Sequence, residues 1–310
     1  MGGRPHIVYF FDRGFEACSL VSLYTVLKTK AQALQVTLHA TDPSDHLPGL
    51  VRKLLAHFDT PITLDHLNLE DYDHLPRGRL PLAARARLLL PKLHEGRVLY
   101  IDGDCIARRD VTELWHQDLA GKCVGAVLAP GIMVDLQKAQ NTGSRAAQKR
   151  ADKQRKRGLR LDGIDMSRYF NSGVMVFDLD RINAVGLADH MMDIEATAKY
   201  TSRDQDWLNM VFRDQVHYLD PIWNSGWGNP KTCKHYISDD IRKAWQASRE
   251  APAILHFTGF EKPWLHEKPP FRFWLIHQPQ QRKDRAKYWA EFQMARRECE
   301  VILGRTLFDG

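Results

Sequence analysis

Two acids separated by a single glycine close an apolar run in this 310-residue chain: Val98-Leu99-Tyr100-Ile101 leads into Asp102-Gly103-Asp104-Cys105. In an extended segment, residues two apart point the same way, so both carboxylates can address one point beyond the end of the strand. Two hard carboxylate oxygens suit Mg2+ or Mn2+, ions that commonly also take substrate phosphates. The same pair would equally serve as two solvated acids, because Asp-Gly is a frequent turn dipeptide.

Three other clusters carry chemistry. Tyr169-Phe170-Asn171-Ser172-Gly173 precedes the apolar run Val174-Met175-Val176-Phe177. A glycine there lets a ligand approach the backbone, and Asn171 offers both a donor and an acceptor to hydroxyl groups. Asp204-Gln205-Asp206-Trp207-Leu208-Asn209 opens a helix with Asp204 placed as its N-cap, which leaves Gln205 free to face a ligand. In His256-Phe257-Thr258-Gly259-Phe260-Glu261-Lys262-Pro263-Trp264, a histidine, a glycine turn and a lysine form a loop able to face phosphate. Each of the three also has a structural reading: a strand start, a helix cap, and a buried histidine beside a solvated lysine.

The elements that must position these groups alternate. Residues 6–11 (HIVYFF), 34–40 (LQVTLHA), 62–67 and 97–101 (RVLYI) read as strands, and residues 17–27, 49–58 and 81–93 as helices between them. Strand and helix in alternation predict an α/β fold with a mixed, mainly parallel sheet covered on both faces. Ligands then sit beyond the carboxyl ends of the strands, where Asp12 and Asp102 lie. Residues 174–179 give another strand, residues 191–200 and 206–212 give helices, and residues 254–257 end a short strand. The tail over residues 282–303 is amphipathic, with Trp289, Phe292, Ala295, Cys299 and Ile302 along one side. Its aromatic and basic residues would pack on the domain or lie on a membrane.

Net charge is +6, and one segment accounts for it. Residues 138–160 hold nine Lys/Arg and one acid, Asp152, whereas the remainder carries 35 basic and 37 acidic residues. That distribution argues against nucleic acid as a partner. The segment over residues 137–165 lacks apolar periodicity and reads as a mobile loop or an exposed helix inserted into the domain. No uninterrupted apolar stretch is long enough for a membrane span, and the first residues make a poor signal peptide. The five cysteines are scattered without a CxxC pair, as expected of reduced thiols in a cytoplasmic protein.

In this order and spacing, the VLYIDGD, FNSGV, DQDWLN and HFTGFEKPW motifs resemble glycosyltransferase family 8, the retaining enzymes that include bacterial lipooligosaccharide galactosyltransferases and glycogenin. The resemblance runs over about residues 6–264. It implies a single GT-A domain with a Rossmann-like sheet over residues 1–270, followed by a helical tail over residues 271–310. It also implies Mn2+, or Mg2+ in its place, held by Asp102, Asp104 and His256, and a UDP-sugar donor. Residues 7–12, with Tyr9 and Phe10 among them, would wrap the uridine, with Asp12 at the base and Phe15 near it. Arg87 matches a position near the donor sugar and phosphates, and Gly103 belongs to the metal motif. Asn171, Ser172, Asp204 and Gln205 would line the sugar pocket, and Gly259 and Lys262 would contact the diphosphate. The family often has Asp-Asp-Asn-Tyr where this chain has Asp12-Arg13-Gly14-Phe15.

The expected reaction moves a hexose (glucose, galactose or N-acetylglucosamine) to a glycan, glycolipid or peptide hydroxyl by same-face attack. Gln205 stands where a nucleophile would, and an amide is a poor one. Asp206 is the weaker candidate for a covalent intermediate. The basic segment would cover the donor and attract an acidic acceptor or the anionic inner face of a membrane. Three rivals explain less. A phosphatase of the haloacid dehalogenase type would carry its acid pair on the first strand. A nucleotidyltransferase would need a glycine-rich triphosphate loop. A non-catalytic sugar-nucleotide-binding protein would have no use for Asp102, Asp104, His256 and Lys262 together.

Overall fold

The computed structural model describes residues 3–76, 82–140, 144–227, 239–258, 262–266 and 279–308. Seven strands form the central sheet in the order β3-β2-β1-β4-β7-β6-β8. They are β1 (His6–Phe11), β2 (Gln35–Ala40), β3 (Ile62–His66), β4 (Arg97–Ile101), β6 (Val124–Leu128), β7 (Phe170–Asp178) and β8 (Val216–Tyr218). β1 pairs in parallel with β2 and β4, and β2 with β3, whereas β7 runs antiparallel to both β4 and β6. The sheet is thus mixed and mainly parallel, as the alternation predicts. Its inner strands are buried on both faces, which explains their near-continuous apolar runs.

A second sheet, β5-β10-β9, is made of short strands: β5 (Cys105–Ala107), β9 (Ser225–Gly226) and β10 (Ile254–His256). β10 lies antiparallel to β5 with His256 opposite Cys105. A strand beginning 150 residues downstream is thereby laid beside the acid pair.

The first helices are α1 (Arg13–Thr29) and α2 (Leu47–Phe58). α1 begins where Asp12 caps it, accepting from the Phe15 N–H at 3.0 Å. Of residues 81–93, expected as one helix, Leu82–Leu89 form a 3-10 segment and Leu90–Leu93 one α-turn; Pro81 lies outside the described residues. The helix expected over residues 191–200 is likewise two pieces, Ala188–Met192 and Glu195–Lys199, and Asp193 accepts from the Ala196 N–H between them.

Within the basic segment, residues 137–140 end α3 (Pro130–Gln140) and residues 145–160 form α4 (Arg145–Arg160), which packs on α3, so its alternative of an exposed helix is closer to what is seen. Ala147, Gln154 and Gly158 are the buried residues of α4. α5 (Arg203–Val211) follows; Ser202 precedes it as N-cap, and Asp204 lies inside its first turn instead of capping it. α6 spans Asp239–Glu250 and α7 spans Pro279–Leu303. α7 packs on α1 and α2, burying Tyr288, Trp289, Phe292 and Cys299. That packing occupies Tyr288 and Trp289, two of the aromatic residues that the sequence also offered to a membrane; Trp274 lies outside the described residues. Among the described residues no helix is long and apolar enough to cross one. Cys18, Cys105, Cys123 and Cys299 are free and buried; Cys233 lies outside the described residues.

Candidate active site

β4 ends at Ile101, and the next peptide is tied to its neighbour strand: the Asp102 N–H donates to the Gly173 carbonyl at 2.7 Å. Two glycines let this turn form. A Cβ on Gly103 would fall within 3.0 Å of the Ser19 hydroxyl on α1. A Cβ on Gly173 would fall within 3.0 Å of both the His256 ring and the Asp102 carboxylate. The space where these two side chains meet is the space that Gly173 leaves empty.

His256 Nε2 lies 3.0 Å from Asp104 Oδ1 and 3.7 Å from Asp102 Oδ2. Its tautomer follows from a chain of amides whose orientation the backbone dictates. The Ser172 N–H donates to Gln205 Oε1 at 3.2 Å, and the Gly173 N–H donates to Asn171 Oδ1 at 3.0 Å. Backbone N–H groups only donate, so both side-chain atoms are oxygens. Asn171 Nδ2 then donates to Gln205 Oε1 (3.0 Å), and Asn224 Nδ2 donates to Asn171 Oδ1 (2.8 Å). Asn224 therefore turns its oxygen to His256 Nδ1, 2.9 Å away, and Nδ1 carries a proton. In the neutral ring, Nε2 is a lone pair facing two carboxylates, an arrangement that calls for positive charge between them.

That donor set fits a hard divalent ion: two carboxylates and one imidazole whose other nitrogen is held by an amide oxygen. Cys105 also brings its sulfur within 4.8 Å of ligand atoms of Asp104 and His256. Burial, with the nearby Asp104 charge, pushes its thiol well above the ordinary range. For Asp104, burial alone would raise the carboxyl, but the protonated form of His256 and the Lys262 ammonium outweigh it and hold it well below the usual range. Lys262 Nζ sits 2.7 Å from Asp104 Oδ2 and also donates to the Phe257 carbonyl.

Arg87 is buried behind the acids. Its guanidinium bridges Asp102 (3.0 Å) and Asp204 (3.2 Å), donates to the Ser172 carbonyl at 2.6 Å, and lies 4.3 Å from the centre of the Tyr100 ring. Burial disfavours its charge, yet Asp102, Tyr100 and Asp204 more than restore it and raise its pKa. Tyr100 donates to the Asp102 oxygen that Arg87 also holds, Oδ1, which leaves Oδ2 on the His256 side. Arg87 thus fixes acids at the ends of two elements. Burial raises Asp204 to about 6 against the pull of Arg87.

α5 is set by Asn209, which exchanges hydrogen bonds with the Phe170 N–H (2.8 Å) and carbonyl (3.0 Å) at the start of β7. Gln205, one helical turn earlier, consequently faces Asn171. Its Nε2 donates to the Tyr169 hydroxyl at 3.1 Å. That hydroxyl donates to Asp206 Oδ1 (2.7 Å) and accepts from Arg157 of α4 (2.7 Å). Arg157 also pairs directly with Asp206 at 2.6 Å and reaches Ser202 Oγ at 2.8 Å. Asp206 is buried, with Oδ1 held by Arg157 and Tyr169 and Oδ2 accepting from the Ser202 N–H at 2.8 Å.

The structure brings Asp102, Gly103, Asp104, His256, Lys262, Arg87, Asn171, Ser172, Asp204 and Gln205 into one neighbourhood. Tyr9 and Phe10 do not extend side chains to it: Tyr9 is buried against Ser22, and Phe10 stacks on His39 with ring centres 4.7 Å apart. Asp12 spends one oxygen on the α1 cap, and Phe15 lies edge-on to Trp264. Arg13 turns away to Asp42 (3.3 Å) and the Pro43 carbonyl. Gly259 lies outside the described residues. Sequence reasoning missed Asn224, which comes from a 3-10 turn (Pro221–Asn224) with no motif around it. It also missed Arg157, one of nine basic residues in its segment.

A cavity of about 500 Å³ opens beside these amides, between β7 and the α3–α4 pair. Asn171, Gln205 and Asn224 form its floor, and Arg150, Lys153, Gln154 and Arg157 line the α4 side.

The family model for glycosyl transferase family 8 matches residues 6–268. The chain is 28% identical over 230 residues to General stress protein A of Bacillus subtilis (strain 168), covering 71% of this chain and 73% of that protein. It is 30% identical over 209 residues to Probable galacturonosyltransferase 7 of Arabidopsis thaliana, covering 64% of this chain but only 29% of the plant protein. Lipopolysaccharide 1,2-glucosyltransferase of Escherichia coli (strain K12) is 26% identical over 171 residues, 54% of this chain and 44% of that one. Among solved structures, galactosyltransferase LgtC in complex with donor and acceptor sugar analogs matches with a TM-score of 0.67 at 20% identity, over 94% of each chain. The bifunctional glycosyltransferase WbbM in its apo form matches with a TM-score of 0.70 at 20% identity, over 91% of this chain and 51% of that one. At such identities the likeness shows the fold, and it is the GT-A fold expected from the motifs.

Proposed function

The chain belongs to glycosyltransferase family 8, and from that premise we propose that it is a retaining, metal-assisted hexosyltransferase that uses a UDP-sugar donor. The observation that carries the reading is the orientation of His256. One ring nitrogen is committed to Asn224, and the other is aimed at Asp104 and Asp102. Those three residues would hold Mn2+ or Mg2+. When bound, the ion supplies Lewis acidity toward the departing diphosphate.

Around that point the protein's own groups have separate tasks. Lys262, next to Asp104, supplies a point charge to the diphosphate. Arg87 keeps Asp102 turned toward His256 and Asp204 turned toward the sugar side. Asn171, Ser172 and Gln205 orient the transferred hexose. With Asp206 held by Arg157 and Tyr169, the polar groups on the cavity floor are neutral amides, Gln205 among them. That supports same-face attack by an acceptor hydroxyl over a covalent intermediate. The outer side of α4 exposes Arg145, Lys149, Lys156 and Arg160, which extends the reading to peripheral contact with an anionic membrane surface.

Incubating the protein with Mn2+ and a panel of UDP-sugars, and scoring UDP release, tests the reading. One donor should be hydrolysed slowly without an acceptor, and chelator or Asp104→Ala should stop it. Full activity in excess chelator would refute it, and metal-dependent UDP binding without any turnover would point to the non-catalytic alternative.

A further inference from the structure

The cavity over Gln205 is asymmetric in charge. Its floor is neutral, made of the amides of Asn171, Gln205 and Asn224. Its α4 wall carries Arg150, Lys153 and Arg157, spaced at three and four residues and therefore on one helix face. One acid lines the cavity, Asp135, and it is shared: Gln154 Nε2 donates to it at 3.1 Å, and Lys153 lies 4.0 Å away. Arg157 is neutralised by Asp206. Arg150 makes no ion pair with any described residue.

Position along α4 turns this into a ruler. Arg157 marks the reacting end, because it touches the Tyr169 hydroxyl that holds Gln205. Arg150 precedes it by seven residues, about 10 Å farther along the helix at 1.5 Å per residue. A saccharide lying along the cavity with its reactive hydroxyl near Gln205 would place a more distal ring beside Arg150 and Lys153. The rest of the cavity's lining, Pro130, Ile132 and Val134 of α3 among it, offers no competing charge.

We propose that Arg150 and Lys153 form an anion subsite for the acceptor, and that the acceptor is a saccharide bearing a phosphate or carboxylate one or two sugar units from its reactive hydroxyl. The proposal rests on the hexosyltransferase reading above and specifies its acceptor. Arg145, Lys149, Lys156 and Arg160, exposed on the same helix, add positive potential that draws such an acceptor in.

The test uses the full chain with Mn2+ and whichever UDP-sugar it hydrolyses. Three acceptors are compared: a neutral disaccharide, the same disaccharide with a phosphate monoester on its distal ring, and its distal uronic acid analogue. The wild type should prefer at least one anionic acceptor by tenfold or more in kcat/KM, with a preference that shrinks as NaCl rises. The Arg150→Gln/Lys153→Gln variant should lower that preference five- to tenfold, and which analogue responds identifies phosphate or carboxylate. Equal rates on all three acceptors, or a preference unchanged in the variant, overturn the proposal while donor hydrolysis leaves the hexosyltransferase reading standing. If the variant instead alters acceptor-free hydrolysis of a UDP-uronate but not of a UDP-hexose, the anion belongs to the donor and the acceptor assignment is wrong. Absence of UDP release from every donor sinks both the parent reading and this one.

Discussion

At the residue scale, the pivotal group is one that no motif contains. Asn224 decides which nitrogen of His256 faces the acids, and the Ser172 and Gly173 N–H groups decide which way Asn224 points. An outer hydrogen bond to a liganding histidine typically carries a 10- to 100-fold effect on metal affinity. Asn224→Ala should therefore weaken metal-dependent UDP binding by about 10-fold or more, while chelator-treated variant and wild type bind UDP alike. Calorimetric titration with and without Mn2+ reads both. Gly173→Ala should be more severe, because the added carbon falls where Asp102 and His256 approach each other. The same titration should show the metal response lost, and a variant that keeps wild-type Mn2+ dependence would mean the acid pair and the histidine can separate without cost.

At the element scale, the helix that looked least structured from sequence is held by polar bonds. Periodicity tests for apolar residues, and α4 buries Ala147, Gln154 and Gly158 while Arg157 locks it to Asp206. Nothing in a hydrophobic pattern registers such a helix. Strands β1, β2 and β4 were legible because each is an apolar or alternating run ended by polar residues. β5 and β9 were not, since three and two residues leave no period to detect. Four motifs did outline the site, because acids, amides and glycines cluster at strand ends. Its depth was not legible: Tyr9 and Arg87 are buried, which composition cannot reveal. The Arg157–Asp206 pair can be tested directly. Arg157→Met leaves a buried carboxylate unpaired and should cost about 3 kcal/mol or more in urea unfolding. Arg157→Met/Asp206→Leu should recover most of that loss; failure to recover would show that the Tyr169 and Ser202 contacts, and not the charge pair, hold α4 down. A second element-scale device is the histidine row joining β1, β2 and the turn before β4. His39 Nε2 lies 2.8 Å from His94 Nε2, and the His6 and His94 rings meet edge-on at 4.8 Å. Burial, reinforced by His94, lowers both His6 and His39 to about 4. Groups whose folded pKa lies below the unfolded value of about 6.5 favour the fold above that pH and lose their contribution as pH falls toward 4. Urea midpoints should therefore drop between pH 7 and pH 4.5, and His39→Gln should make that decline shallower.

At the scale of the whole molecule, the tail and the site are one structure. Phe292 of α7 meets Phe257, the residue after His256, with ring centres 5.7 Å apart, and meets Trp264 at 5.6 Å. Gln293 donates to the carbonyls of Pro263 and His266, on the segment that carries Lys262. α7 also lies on α1, whose first turn supplies Asp12 and Phe15, and Phe15 touches Trp264 from the other side. The C-terminal helix therefore backs the loop holding Lys262 and ties it to the start of α1. Two consequences can be separated by experiment. Phe292→Ala removes a fully buried ring and should cost about 3–5 kcal/mol of stability. Gln293→Ala removes a buried amide and its hydrogen bonds to the Lys262 segment and should cost less, about 1–3 kcal/mol. If that segment is positioned by the tail, Gln293→Ala should nonetheless weaken UDP binding several-fold in the presence of Mn2+, and adding Lys262→Ala should weaken it little further. Independent, additive losses in the double variant would instead show that Lys262 is placed by its bonds to Asp104 and Phe257 alone, with the tail acting only as a cover for the core.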